Sequence, residues 1–234
     1  INTKLYGVEF IENENSSNFV SVEFNQLVTE PVDPIKEGHT FLGWFDENDN
    51  EFDFGTPITR HLVLTAKYEV NEYTITFDSA GGSSVESIQQ PFGSALVEPE
   101  EPTREGYTFL GWVPDFPETM PSANIVLEAI WLVNEYSITF DVNEGDSIEP
   151  LTVEFGSLLT LPIPTKQDNY FAGWYIDEEL LIPFEDTTMP ANNFTLYAKW
   201  TTEVQEVTVS FDSNGGSNVD NQVVELGSAI IEPT

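Results

Sequence analysis

The chain has 234 residues and a formal net charge of −34, from 41 acidic against 7 basic residues. That surface repels nucleic acid and anionic membranes, so neither is an expected partner, and no apolar run is long enough for insertion across a bilayer. The absence of cysteine excludes disulfides, thiolate zinc sites and cysteine nucleophiles. Yet hydrophobic residues make up 40% and aromatic ones 13%, too apolar a composition for a disordered acidic chain.

Each repeating unit opens with a strand in which aromatic and β-branched residues alternate with polar ones. The alternating residues are Tyr6, Val8 and Phe10, then Tyr73, Ile75 and Phe77, then Tyr136, Ile138 and Phe140, then Val207, Val209 and Phe211. Turn signals follow at Asp78 to Gly82, Asn143 to Gly145 and Asp212 to Gly216, with Ile11-Glu12-Asn13 in the first unit. A second strand ends at Phe24-Asn25-Gln26, Phe92-Gly93-Ser94, Phe155-Gly156-Ser157 and Leu226-Gly227-Ser228, which predicts an antiparallel hairpin in each unit. Proline-rich stretches from Glu30, Glu98 and Pro162 exclude helix interiors and central strands, so they are expected to cross extended.

The strongest repeat comes next: Glu37 to Trp44, Glu105 to Trp112 and Asp168 to Trp174, each ending in Gly-Trp. The segments Phe45 to Arg60, Val113 to Ala123 and Tyr175 to Asn193 differ in length and read as surface loops with at most one helical turn. Closing strands run from Leu62 to Tyr68, Ile125 to Trp131 and Phe194 to Trp200, with Leu, Ala and the closing aromatic on one face. The expected divisions are residues 1–70, 71–133 and 134–202, with a partial fourth repeat at 203–234. The short linkers lack Gly and Ser tracts, so a restricted orientation and a rod-like array are expected. Ile1-Asn2-Thr3-Lys4 does not read as a secretory signal, and Glu232-Pro233-Thr234 falls inside a repeat, so the chain reads as a segment of a longer array.

These residues resemble the Listeria–Bacteroides repeat family, which includes the B repeat of internalin B. The matching features are Thr76-Phe77-Asp78 with its Gly-Gly turn, the Phe-Gly-Ser break at Phe92, the run from Pro102 to Trp112, and Leu196 to Trp200. The resemblance implies tandem small β-grasp-like domains, mostly β (α+β at most), each a mixed or antiparallel sheet with little helix. It also implies an extracellular location on a bacterial cell surface, a role in attachment, and no enzymatic activity. Two departures stand out: the first unit lacks the Asp-and-Gly turn, and Asp168-Asn169 replace Gly106-Tyr107, which leaves the local register of the third unit open.

Candidate sites are few. His39 occupies the Tyr107 position and reads as a packing ring, and neither it nor His61 has a recurring nucleophile beside it, so no catalytic residue is assigned. Asp46, Asn48, Asn50 and Asp53 are weak calcium candidates, because Glu51 and Pro57 stand where a calcium loop needs Gly and Glu. No other cofactor is expected. Asp78, Asp141 and Asp212 are expected to close turns. Trp44, Trp112 and Trp174 read as core, along with Tyr68, Phe77, Trp131, Phe140 and Trp200, although Gly-Trp pairs could also be exposed stacking platforms for sugars. Lys67 and Lys199 alternate out of phase with that face and should point to solvent. The expected function is a stalk or presentation segment of a surface adhesin, with the neighbouring repeats of the chain as its partners. The alternatives are a glycan- or host-protein-binding module on the divergent loops and a filament-forming subunit. Adaptation to high salt would be another source of the acidity.

Overall fold

The computed structural model describes residues 4–203, 206–225 and 228–232. The chain divides into two compact units, Ile1–Thr103 with Phe109–Ile130, and Arg104–Thr108 with Trp131–Thr234. The described residues hold strands and turns but no helix, so the divergent loops lack even a helical turn.

The first sheet contains β1 (Leu5–Asn13), β2 (Ser16–Glu23), β3 (His39–Phe45) and β4 (Leu62–Val70), in the order β2-β1-β4-β3. β1 pairs antiparallel with β2 and parallel with β4, and β4 pairs antiparallel with β3. A parallel pair needs a long crossover, which the proline-rich stretch supplies. The order recurs as β6-β5-β8-β7, built from β5 (Glu72–Asp78), β6 (Ile88–Pro91), β7 (Tyr107–Val113) and β8 (Ile125–Val133). It recurs again as β10-β9-β12-β11, built from β9 (Glu135–Asp141), β10 (Leu151–Glu154), β11 (Tyr170–Tyr175) and β12 (Phe194–Thr201). This is a β-grasp strand order without the helix. β13 (Glu206–Val209) and β14 (Gln222–Glu225) form a hairpin, pairing Glu206 with Glu225 as β9 pairs Glu135 with Glu154.

The Gly-Trp motif works by breaking strand parity. The register slips between Phe41 and Gly43 and between Phe171 and Gly173. Gly43, Gly111 and Gly173 have φ of 131, 137 and 121°, a conformation that favours glycine. The bulge turns both Phe41 and Trp44 inward, where strict alternation would put them on opposite faces. Trp44, Trp112 and Trp174 are 1%, 4% and 6% exposed. Their rings lie 4.9 Å from Phe10, Phe77 and Phe140, respectively.

Irregular chain forms the second layer. Val28, Pro102 and Pro164 are buried in the crossing segments, and Trp174 Nε1 donates to Pro162 O at 2.9 Å. The divergent loops are not wholly superficial, because each buries one side chain: Ile58, Met120 and Met189 are all 1% exposed. Their carbonyls accept from the backbone N–H of Asn25, Gly93 and Gly156 at 2.9 Å. Their own N–H groups donate to Gln26 O at 2.8 Å and to Ser94 O and Ser157 O at 2.9 Å. The break after each second strand therefore anchors the variable loop.

The closing aromatics are less deeply buried than the Gly-Trp tryptophans. Tyr68, Phe140 and Trp200 are half-buried and pack against the core clusters, and Trp131 is also half-buried. A polar ring tip needs a partner. Trp200 Nε1 donates to Val142 O at 2.9 Å, and Tyr68 hydroxyl to Glu12 O at 3.3 Å. The third unit keeps the alignment of the other two: Asp168 takes φ of 57° at the position of Gly38 and Gly106, whose φ values are 67 and 76°.

Candidate functional site at the repeat junctions and loop clefts

The junction after the first sheet begins with a turn in which His39 N–H donates to Lys36 O at 3.1 Å and Gly38 takes positive φ. Gly38 O accepts from Asn71 N–H at 2.9 Å, and Asn71 O accepts from Phe92 N–H at 2.8 Å. Thr40 Oγ1 donates to Asn71 Oδ1 at 2.6 Å. The Phe92 ring covers Gly38 so closely that an added Cβ would lie 2.1 Å from its Cδ1. The linker residue Asn71 is thus bonded on one side to the Gly38 turn and on the other to the next hairpin.

The second junction repeats this pattern. Asn134 N–H donates to Gly106 O, and Phe155 N–H to Asn134 O, both at 2.9 Å. Thr108 Oγ1 donates to Asn134 Oδ1 at 2.6 Å, and Phe155 covers Gly106, where a Cβ would lie 2.2 Å from Cδ1. His39 and Tyr107 meet Phe92 and Phe155 edge-on at 6.1 and 5.9 Å. His39 is a junction ring, and its Nδ1–H donates to Glu37 O at 2.7 Å.

The remaining sequence candidates close local structure. Asp46 Oδ1 accepts from Asn48 N–H at 2.9 Å, from Asn50 N–H at 3.0 Å and from Asn50 Nδ2 at 3.4 Å. The Asn50 backbone bond, aided by Asn48, holds the Asp46 carboxyl below its ordinary value. Asp53 Oδ1 accepts from Gly55 N–H at 2.8 Å. Lys67 pairs with Asp49, and Arg60 lies 3.8 Å from Glu47. Among the described residues no group of three or more acidic, histidine or cysteine side chains is placed to hold a metal. Asp78, Asp141 and Asp212 each accept from the N–H two residues on, at 2.9 Å. His61 Nδ1 accepts from Gly7 N–H at 2.8 Å, a task that Asn124 and Asn193 perform for Thr74 and Ser137 at the same distance. Lys67 and Lys199 lie on the outer face, with their ammonium groups 4.4 and 4.5 Å from the rings of Phe45 and Tyr175.

Sequence reasoning missed the loop clefts. In the third unit a cleft of about 390 Å³ opens between the divergent loop and the start of β12. In the first unit a cleft of about 300 Å³ opens at the same place, with Phe52 and Leu62 where the third has Phe184 and Phe194. Phe52 and Phe184 hold equivalent places, because each donates its N–H to the carbonyl of its Gly-Trp tryptophan.

The Listeria-Bacteroides repeat domain model matches residues 6–67, 73–129 and 136–199. The chain belongs to the Listeria-Bacteroides repeat family. Two proteins of Evansella cellulosilytica are similar to it. One, provisionally named a Gly-rich membrane protein, is 38% identical over 98% of this chain and 28% of its own length. The other, provisionally named a membrane protein, is 36% identical over 90% of this chain and 33% of its own length. Internalin H of Listeria monocytogenes is 37% identical over 50% of this chain and 23% of its own length. The chain thus spans between about a quarter and a third of these relatives. No helix among the described residues is long and apolar enough to cross a membrane.

Proposed function

We propose that this family member is a non-enzymatic presentation segment of a bacterial cell-surface protein, holding another part of the chain away from the envelope. The observation that carries this reading is the duplicated junction. A linker that is hydrogen-bonded on both sides and capped by a ring resists bending, whereas a flexible linker would make few such bonds. The membrane-protein and internalin names of the relatives support the surface location. The polar groups that recur from unit to unit close turns and junctions, which supports a structural rather than a catalytic role. The net charge of −34 keeps an exposed array solvated.

The absence of cysteine makes the test clean. Spin labels on Ser17→Cys and Ser87→Cys, both exposed, report the distance across the first junction. One narrow distance distribution is expected. A broad one would overturn the stiff-segment reading.

A further inference from the structure

We propose that the cleft of the third unit is a carbohydrate subsite that takes a neutral pyranose. The inference stands on the cleft itself and does not depend on the presentation role. The floor is rigid: Phe184 and Phe194 stack at 5.5 Å and pack against the buried cluster around Trp174 and Leu196. Around that floor stand Asp186, Asn192, Thr195 and Tyr197. Tyr197 lies between the fully buried Leu196 and Ala198 on β12 but is itself only half-buried, and it lines the cleft.

The lining matches the two sides of a sugar ring. Aromatic and aliphatic surface suits the C–H face, while a carboxylate, an amide and two hydroxyls suit the hydroxyl edge. No Lys, Arg or His lines the cleft, which disfavours phosphorylated, sulfated or acidic sugars. A volume of about 390 Å³ lies at the small end of ligand sites. The first-unit cleft occupies the same place in the fold but is lined by Asp46, Glu51, Asp53 and Arg60. The fold therefore fixes where the cleft lies, and loop length and composition set its chemistry. A single carboxylate beside a tyrosine could also attract a lysine side chain. The three neutral hydrogen-bonding groups beside it favour the sugar.

The test is titration of the full isotope-labelled chain with methyl β-glucoside, methyl β-galactoside and N-acetylglucosamine, followed by amide shifts and saturation transfer. N-acetyl-lysine amide is the comparison ligand. At least one sugar is expected to saturate with a Kd on the order of millimolar, the range for so small a ligand on a shallow site. The shifted amides should lie between Asp186 and Tyr197. Tyr197→Ala and Asp186→Asn should each weaken binding by about tenfold or more, and Arg60→Ala should leave it unchanged. Asp186→Asn removes only a charge at an exposed position, so it keeps the test valid if Tyr197→Ala melts early. Absence of saturation at about 50 mM (well above that Kd), binding that survives both variants, or binding of the lysine derivative alone would each overturn the proposal.

Discussion

Replacing Gly106 with alanine tests whether the junction couples neighbouring repeats. Two penalties apply. At φ of 76° a side chain is strained by about 1–2 kcal/mol. In addition, the new Cβ would lie 2.2 Å from Phe155 Cδ1 and Cγ, so the ring must leave its seat, and overpacking of this kind costs about 1–3 kcal/mol. The sum is about 2–5 kcal/mol, comparable with the ~3–5 kcal/mol that the core of a domain this small supplies. The fold provides its own control. Gly156 has φ of 74° but nothing within 4 Å of an added Cβ, so Gly156→Ala pays the backbone penalty alone. Gly38 and Gly93 form the same pair at the first junction, with φ of 67 and 75°. Urea unfolding gives the loss for each variant, and hydrogen exchange assigns it to sequence. Gly106→Ala should lower stability by about 1–3 kcal/mol more than Gly156→Ala, and protection should fall on both sides of the junction. Equal losses for the two variants, or lost protection confined to the turn itself, would refute junction coupling.

Other expectations follow from single side chains. Met120→Ala and Met189→Ala should each lower stability by about 2–5 kcal/mol despite lying in loops, as measured by denaturant unfolding, because both residues are 1% exposed. His61→Asn should preserve the thermal melt, since Asn124 and Asn193 make the same bond elsewhere, whereas His61→Ala should lose roughly 1 kcal/mol in denaturant unfolding. The Asp46 carboxyl is held below its ordinary value of 3.8 by the Asn50 backbone bond first and Asn48 next. Its contribution to the loop is therefore present above about 3.8 and lost as pH falls through the lower folded value. A carbon-13 carboxyl titration should place its midpoint below 3.8, moving upward in Asn50→Pro. Because Asp46 and Asp53 already accept backbone hydrogen bonds, calcium should raise the melt no more than another divalent salt at equal ionic strength.

Much of the sheet was legible because strand periodicity is local. Tyr73, Ile75 and Phe77 announce β5, and Leu196, Ala198 and Trp200 announce β12. The Gly-Trp pair was legible as a motif, but its effect on parity was not. A period of two cannot show that Gly43 inserts a bulge and turns Trp44 to the side of Phe41. The loops concealed more, because Met120 and Met189 lie outside any periodic run and their burial depends on pairing with Gly93 and Gly156. Counting back five residues from Ile125 and Phe194 would have found both. The cleft was not legible at all, since Phe184 and Tyr197 converge only after the loop folds onto the strand.

The junction residues form a set, and sequence shows how they vary. Two junctions contain a glycine at the turn, a threonine two residues later, an asparagine three residues after the closing aromatic, and a phenylalanine ahead of Gly-Ser. They are Gly38, Thr40, Asn71 and Phe92, then Gly106, Thr108, Asn134 and Phe155. The same positions toward the fourth hairpin hold Asp168, Tyr170, Glu203 and Leu226. All four members change there together. Independent surface positions have no reason to do so. Four groups joined by one chain of hydrogen bonds and one ring contact do, because each loses its partner when another is replaced. The Thr–Asn bond of 2.6 Å is useful only while the Gly turn holds the asparagine N–H, and the glycine is needed only while a phenylalanine lies over it. The four residues therefore occur together at two boundaries, and at the third Asp168 keeps the positive-φ turn while all four residue types differ.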